Sequence, residues 1–270
     1  MAQDKVAEAL NWYKHMQIDE VYSDKKYDYL APEEKVGLDK SEKLIQEQAR
    51  SGPQAINKQS QPALVSPIKA ANQARLLANQ ARSLDELQQI VNEFKGCLLE
   101  RTATKTVFAE GAKNADIMLI GEAPGATEDR EGRPFCGDSG QLLDKALASI
   151  NVSREVNAYI TNAVFWRPPG NRRPTNEEID ICQPFVEKHI ALLKPKMIIL
   201  VGSTAATALL GKGAKVTELR KKYFNYKNNY LDKAIALTCL FHPAYLLRQP
   251  SQKKQVWHDL LAVKDYMAKL

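Results

Sequence analysis

The sequence predicts a three-layer α/β/α fold around a central four-stranded parallel sheet. Two observations carry that prediction. The runs "ADIMLIG" (115–121), "NAYITNAV" (157–164), "KMIILVG" (196–202) and "AIALTCLF" (234–241) have the length and unbroken hydrophobicity of strands buried on both faces. Helical segments separate them: "SGQLLDKALASI" after the first, "TNEEIDICQPFVEKHIALL" after the second and "STAATALLG" after the third. Such alternation implies parallel strands joined by right-handed crossovers, with helices on both faces.

Taken in order, residues 1–20 read as a short amphipathic helix, with Val6, Leu10, Tyr13 and Ile18 on one face. Residues 21–80 read as a disordered polar linker, because "SGPQAINKQSQPALVSPIKAANQ" (51–73) is rich in Gln, Ser, Pro and Asn. The texture changes at Ser83, whose pairing with Glu86 makes a capping box, and residues 81–270 form the predicted catalytic-size domain. A second capping box, Thr175 with Glu178, opens the helix after the second strand. With 270 residues, 44% of them hydrophobic, the chain has enough apolar side chains for a real core. No apolar run reaches membrane-spanning length and the first residues lack a signal-peptide pattern, so a cytoplasmic protein is expected.

A formal net charge of +6 leans towards a polyanionic partner, although solubility alone accounts for it equally well. Cys97, Cys136, Cys182 and Cys239 stand far apart with no CxxC pair, which argues against a zinc ribbon or a disulfide framework. Cysteines so spaced hold a metal or cluster only if they converge in space.

In parallel α/β sheets ligands bind beyond the carboxyl ends of the strands. The unusual polar chemistry gathers there: "GEAPGATEDREGRPFCG" after the first strand, Asn162 and "FWRPPGNRRP" after the second, Gly202-Ser203 after the third, "HPAYLLRQP" after the fourth. The "GEAPG" turn (121–125) lets backbone approach a ligand, but it is neither a GxGxxG nor a P-loop. Glu122 and Glu128 put carboxylates beside this edge, able to steer water or stabilise positive charge, while Asp129 reads as a solvated loop acid. Phe135 is either core or a platform for a flat ring. Asn162 is either a loop cap or a donor–acceptor pair suited to a base edge. His242, restrained by Pro243, lies at the convergent edge, whereas His15, His189 and His258 read as structural or surface residues. Leu246 and Leu247 are either a wedge between stacked bases or a loop anchor. Arg167, Arg172, Arg173, Arg248, Lys253 and Lys254 would form a phosphate-binding rim.

"GEAPGATEDREGRPFCGDSGQLLD", "YITNAVFWRPPGNRRP" and "FHPAYLLRQP", in this order and spacing, resemble the family 4 uracil-DNA glycosylases from about Cys97 to the C-terminus. The resemblance implies hydrolysis of the N-glycosidic bond of deoxyuridine in DNA, by a monomer that flips the nucleotide into a pocket. It implies that Phe135 stacks on uracil, Asn162 reads O4 and N3–H, and His242 stabilises the departing anion at O2. Ala123 stands where related families carry Asp or Asn, so Glu122 becomes the water-orienting candidate, and Glu128 a gate against thymine's methyl group. Leu246 and Leu247 would fill the hole left by the flipped base, and Arg167, Arg172, Ser203 and Arg248 would hold the DNA backbone. Residues 1–80 fall outside the resemblance, and residues 1–75 suit recruitment by a repair or replication partner, with the enzyme at the nucleoid.

The resemblance also implies a [4Fe–4S] cluster on four cysteines, and here the chain departs from it. Cys97 and Cys182 match two ligand positions; Phe94 and Trp166 occupy the other two. Two thiolates do not hold such a cluster, so the expectation is a cluster-free enzyme with aromatic packing in its place. The competing readings are a non-catalytic uracil-DNA-binding relative and a covalently trapping one, whose Arg/His-rich insertion this chain lacks.

Overall fold

The computed structural model describes residues 66–211 and 213–270. The expected helix at 1–20 and most of the expected linker lie outside them.

The linker expectation fails at its end. Residues Pro67–Gln80 form a helix, α1, with Pro67 at its first position, where a missing N–H costs nothing. Ala70, Ala74 and Ala78 recur every fourth residue and are fully buried. That stripe lies against a long helix of the domain, α5 (Asn176–Leu193). Alanines contribute little to a hydrophobicity profile, so a helix docked by close backbone approach reads as polar linker. After α1 comes α2 (Leu84–Glu93), whose Ser83 hydroxyl accepts from the Glu86 N–H as expected. The Glu86 carboxylate accepts from the Arg82 N–H and not from that of Ser83, so only half of the expected capping box forms.

The sheet has six strands: β1 (Ala109–Gly111), β2 (Ile117–Gly121), β3 (Ala158–Asn162), β4 (Met197–Val201), β5 (Phe224–Tyr226) and β6 (Ile235–Leu240), in the order β1-β3-β2-β4-β6-β5. The four strands expected from the sequence are its parallel centre. The edge strands β1 and β5, each three residues long and antiparallel to its neighbour, are too short for a periodic signal.

Alternate side chains of the central strands enter two separate cores. Met118, Ile120, Ile198 and Leu200 meet α1, α2, α5 and α6 (Ser203–Leu210) on one face. Ile117, Leu119, Ile199 and Val201 meet α4 (Asp138–Ala148), α8 (Pro243–Arg248) and α9 (Lys253–Met267) on the other. Two short helices, α3 (Ala126–Glu131) and α7 (Val216–Leu219), sit in the connections. Helix α5 opens with the Thr175–Glu178 capping box, both bonds formed. No helix among the described residues is long and apolar enough to cross a membrane.

The register places Gly121 opposite Asn162 and Val201 opposite Leu240 at one edge of the sheet. The chain leaves β2 towards β3 on one side and leaves β4 towards β6 on the other. Between β2 and β4 the connections therefore diverge and open a crevice, where α/β sheets place their ligands.

Candidate active site

That crevice widens into a cavity of about 850 Å³ whose walls come from the loops after β2, β3, β4 and β6. Glu122, Ala123, Glu128, Phe135, Asn162, Arg172, Ser203, His242 and Arg248, all singled out from the sequence, line it.

Its corner is Gly121. A β-carbon there would lie 2.4 Å from both Asn162 Oδ1 and Phe135 Cε2, so only glycine lets amide and ring converge. Asn162 is 2% exposed at the end of β3, and Phe135 is 6% exposed. The Phe135 ring lies 5.6 Å from the His242 ring, tilted by 31°. Phe135 adopts φ 51°, the left-handed region that a bulky residue occupies only under constraint. Part of the constraint comes from Glu128. Its Oε1 accepts from the N–H groups of Cys136 (3.1 Å) and Gly137 (2.9 Å), and its Oε2 accepts from the Gly125 N–H (3.1 Å). Glu128 thereby ties the "GEAPG" turn to the Phe135 loop.

His242 caps α8. Its Nδ1 accepts from the Ala244 N–H at 3.1 Å, which leaves the ring proton on Nε2. Burial, helped by the cation of Arg248 and opposed by Glu128, pushes its pKa down to about 4, so the ring is neutral at physiological pH. Gly202, at φ 95°, makes room for it: a β-carbon there would stand 3.1 Å from His242 Cβ.

Across the crevice, Glu122 Oε2 accepts from the Thr204 hydroxyl at 2.5 Å, joining the loop after β2 to the first turn of α6. The other oxygen, Oε1, has no partner among the described residues. Thr204 was missed in the sequence, although Gly202-Ser203 marked the spot. Lys215 and Tyr245, also unforeseen, line the cavity, and their only sequence signal is proximity to the flagged loops.

The basic rim is less free than the sequence suggested. Arg172 donates to both Glu178 oxygens, at 2.9 and 2.6 Å, while remaining on the cavity wall. Arg167 does not line the cavity: its Nε donates to Asn171 Oδ1 at 2.7 Å, and its guanidinium lies 4.0 Å from Asp129. Lys253 is buried at the start of α9 rather than offered to solvent. Of the two leucines, Leu246 is 2% exposed and belongs to the core under α8, and Leu247 is 46% exposed. Asp129, read as a solvated acid, is buried and accepts from the Thr104 N–H and hydroxyl and the Lys105 N–H.

On the opposite face of the sheet, Phe94, Trp166 and Phe185 are packed together, each at most 2% exposed. Phe94 lies edge-on to Phe185 at 5.1 Å and 6.3 Å from Trp166, and its ring folds back onto Gly96. The Trp166 indole donates to the Thr106 hydroxyl at 3.1 Å. Cys97 and Cys182 are buried in the same core as these rings. The neighbouring Cys182 side chain pulls the Cys97 thiol down, and burial pushes Cys182 up. An iron–sulfur cluster needs thiolates where two of these rings stand. The residues present do not fit one, and no group of three or more His, Cys, Asp or Glu suited to a metal occurs among the described residues.

An open α/β sheet brings together, at the carboxyl ends of its parallel central strands, an aromatic ring, a planar amide and a neutral histidine. Residues 108–261 match the family model of the uracil DNA glycosylase superfamily. The type-4 uracil-DNA glycosylase of Pyrobaculum aerophilum is 37% identical over 181 residues, 66% of this chain and 91% of the relative. That of Sulfurisphaera tokodaii is 34% identical over 187 residues, covering 68% and 84%. The Thermotoga maritima protein is 35% identical over 192 residues, covering 68% and 97%. The chain belongs to the type-4 uracil-DNA glycosylase family.

Proposed function

We propose that the protein hydrolyses the N-glycosidic bond of deoxyuridine in DNA, releasing uracil and leaving an abasic site. The observation that carries this reading is the corner at Gly121, where the Asn162 amide and the Phe135 ring meet within reach of a neutral His242. A base inside a duplex is unreachable, so the nucleotide swings out into the cavity. Phe135 then stacks on the ring. Asn162 pairs with O4 and N3–H, a pattern that cytosine leaves unsatisfied.

As the bond breaks, negative charge builds on uracil O2. The Nε2–H of His242 donates to it, and a ring that starts neutral gains most from charge that develops only in the transition state. The sugar becomes cationic, and the Glu122 carboxylate, aimed by Thr204, orients the water that attacks C1′. Ala123 has no proton to give. Glu128, occupied by three backbone N–H groups, acts as a loop clamp and screens the thymine methyl group only through the shape of that loop. Leu247 fills the vacated stack, and Arg172, Ser203 and Arg248 meet phosphates.

We further infer that the enzyme works without an iron–sulfur cluster, the aromatic block doing the packing. Iron and acid-labile sulfide at stoichiometric levels in purified protein would refute that. We also infer a monomer at the nucleoid, with residues 1–75 recruiting a repair or replication partner. Co-purification with and without that segment tests this.

The decisive experiment is chromatographic detection of free uracil from a uracil-containing oligonucleotide. Free uracil, together with its loss in the Asn162→Ala variant, is the expected result. Binding without release would mark a non-catalytic relative, and a stable cross-link a trapping one. Either overturns the proposal.

A further inference from the structure

Glu128 restrains only one side of the Phe135 loop. The other side meets Arg154, in the turn between α4 and β3, which is 8% exposed. Its guanidinium makes four hydrogen bonds. Two go to carboxylates: Nε to Asp144 Oδ1 at 2.9 Å on α4, and Nη1 to Glu110 Oε2 at 2.7 Å on β1. The other two go to consecutive backbone carbonyls: Nη1 to Pro134 at 2.8 Å and Nη2 to Phe135 at 2.7 Å.

The conformation of a residue is the angle between the two peptide planes that flank it. The Pro134 carbonyl lies in the plane before Phe135, and the Phe135 carbonyl in the plane after it. One rigid fork therefore holds both planes. The second plane also contains the Cys136 N–H, which Glu128 holds from the far side. Below it, a β-carbon on Gly140 would stand 1.7 Å from the Phe135 carbonyl oxygen, so the helix α4 backbone closes the remaining space. A left-handed phenylalanine survives only where its surroundings over-determine it, and here a cation on its carbonyls and an anion on the following N–H groups do so.

We propose that Arg154 is a positioning residue for uracil recognition: it sets the backbone of Phe135, and with it the plane on which the base stacks. This inference rests on the reading of Phe135 as the uracil platform. Asp144 and Glu110, the latter also paired with Arg133 of the same loop, neutralise the buried charge and accept from the fork. Lysine could supply the charge but not two donors in one plane.

A double-mutant cycle with Phe135→Leu tests it, since a residue acting through Phe135 loses its effect once that ring is gone. Arg154→Lys should lower kcat/KM for uracil release about 10- to 100-fold, the usual scale for a misplaced binding group. It should weaken inhibition by free uracil by a similar factor and leave the Kd for uracil-free duplex within about twofold. In the Phe135→Leu background the same change should cost less than about threefold. Unchanged uracil inhibition, or an equal loss in both backgrounds, overturns the proposal and leaves Arg154 a fold residue. If Arg154→Lys does not fold, Asp144→Asn loosens the fork without touching the loop. It should then shift uracil inhibition in the same direction, and no shift there also overturns the idea. An inactive wild type would sink the functional reading itself, whereas an active wild type with an equally active Arg154→Lys sinks this inference alone.

Discussion

Asn162 and Trp166 stand four residues apart on one segment, yet they belong to two regions built on opposite logics. The pocket beyond β3 demands particular groups at particular angles: an amide, a ring and a histidine with its proton on Nε2. The block behind it, Phe94, Trp166 and Phe185, demands only that volume be filled without voids. On the proposal of a cluster-free enzyme, a scaffolding role passes from one kind of chemistry to another, while the recognition groups keep their identity. The family resemblance places cluster ligands where two of these rings stand, and their apolar packing is a physically sufficient substitute.

Mutations should separate the two regions cleanly. Trp166→Ala opens a cavity and removes the Thr106 hydrogen bond, so thermal denaturation should show a loss of about 3–5 kcal/mol. Its kcat, normalised to folded protein at low temperature, should stay close to wild type; a large fall would tie the block to catalysis. His242→Ala should behave in the opposite way. Single-turnover rates should drop about 10²- to 10³-fold, the scale for removing one oxyanion donor, with stability lowered only by the lost α8 cap, about 1 kcal/mol. For Glu122→Gln the expected loss is about 10²-fold in kcat, and near-normal activity would remove Glu122 from the mechanism.

The pH dependence separates the regions less sharply. His242 is held at about 4 and His189, in the core, at about 3, against 6.5 for an exposed histidine. Between those values the unfolded chain binds protons that the folded one refuses. Stability is therefore complete above about pH 6.5 and declines as pH falls towards 4, by at most about 1.4 kcal/mol per pH unit for each histidine. Denaturant melts from pH 7.5 to 5 check the slope. Over the same range kcat should show no acid limb from His242, because its catalytic form is already neutral. The smallest effect belongs to the rim: Arg248→Ala should raise KM for DNA a few-fold at low salt and less at high salt, as expected for one lost phosphate contact.

Much of this was legible in the residues alone. The four central strands follow from buried apolar runs, and two helix starts from capping boxes, of which Thr175–Glu178 forms in full while at Ser83 the Glu86 carboxylate turns to the Arg82 N–H instead. Glu122, Phe135, Asn162 and His242 were found because strand ends share one edge of a parallel sheet. What escaped was non-local or unmarked by hydrophobicity. Helix α1 hides behind alanines, and β1 and β5 exist only as partners of their neighbours. Thr204 is defined by its reach to Glu122, 82 positions away in sequence. The two leucines looked equivalent until α8 turned Leu246 inward and Leu247 outward.

By itself, then, the sequence determined which segments become strands and which loops collect at the carboxyl edge, since periodicity and chain order are local properties that survive without coordinates. Only the tertiary structure decided what each polar group is doing. Whether a carboxylate faces solvent, a hydroxyl or a row of backbone N–H groups depends on residues brought together from distant parts of the chain. That is why one Glu122 oxygen beside the pocket has no partner among the described residues, while Glu128, six residues later, is consumed in holding the loop that shapes it.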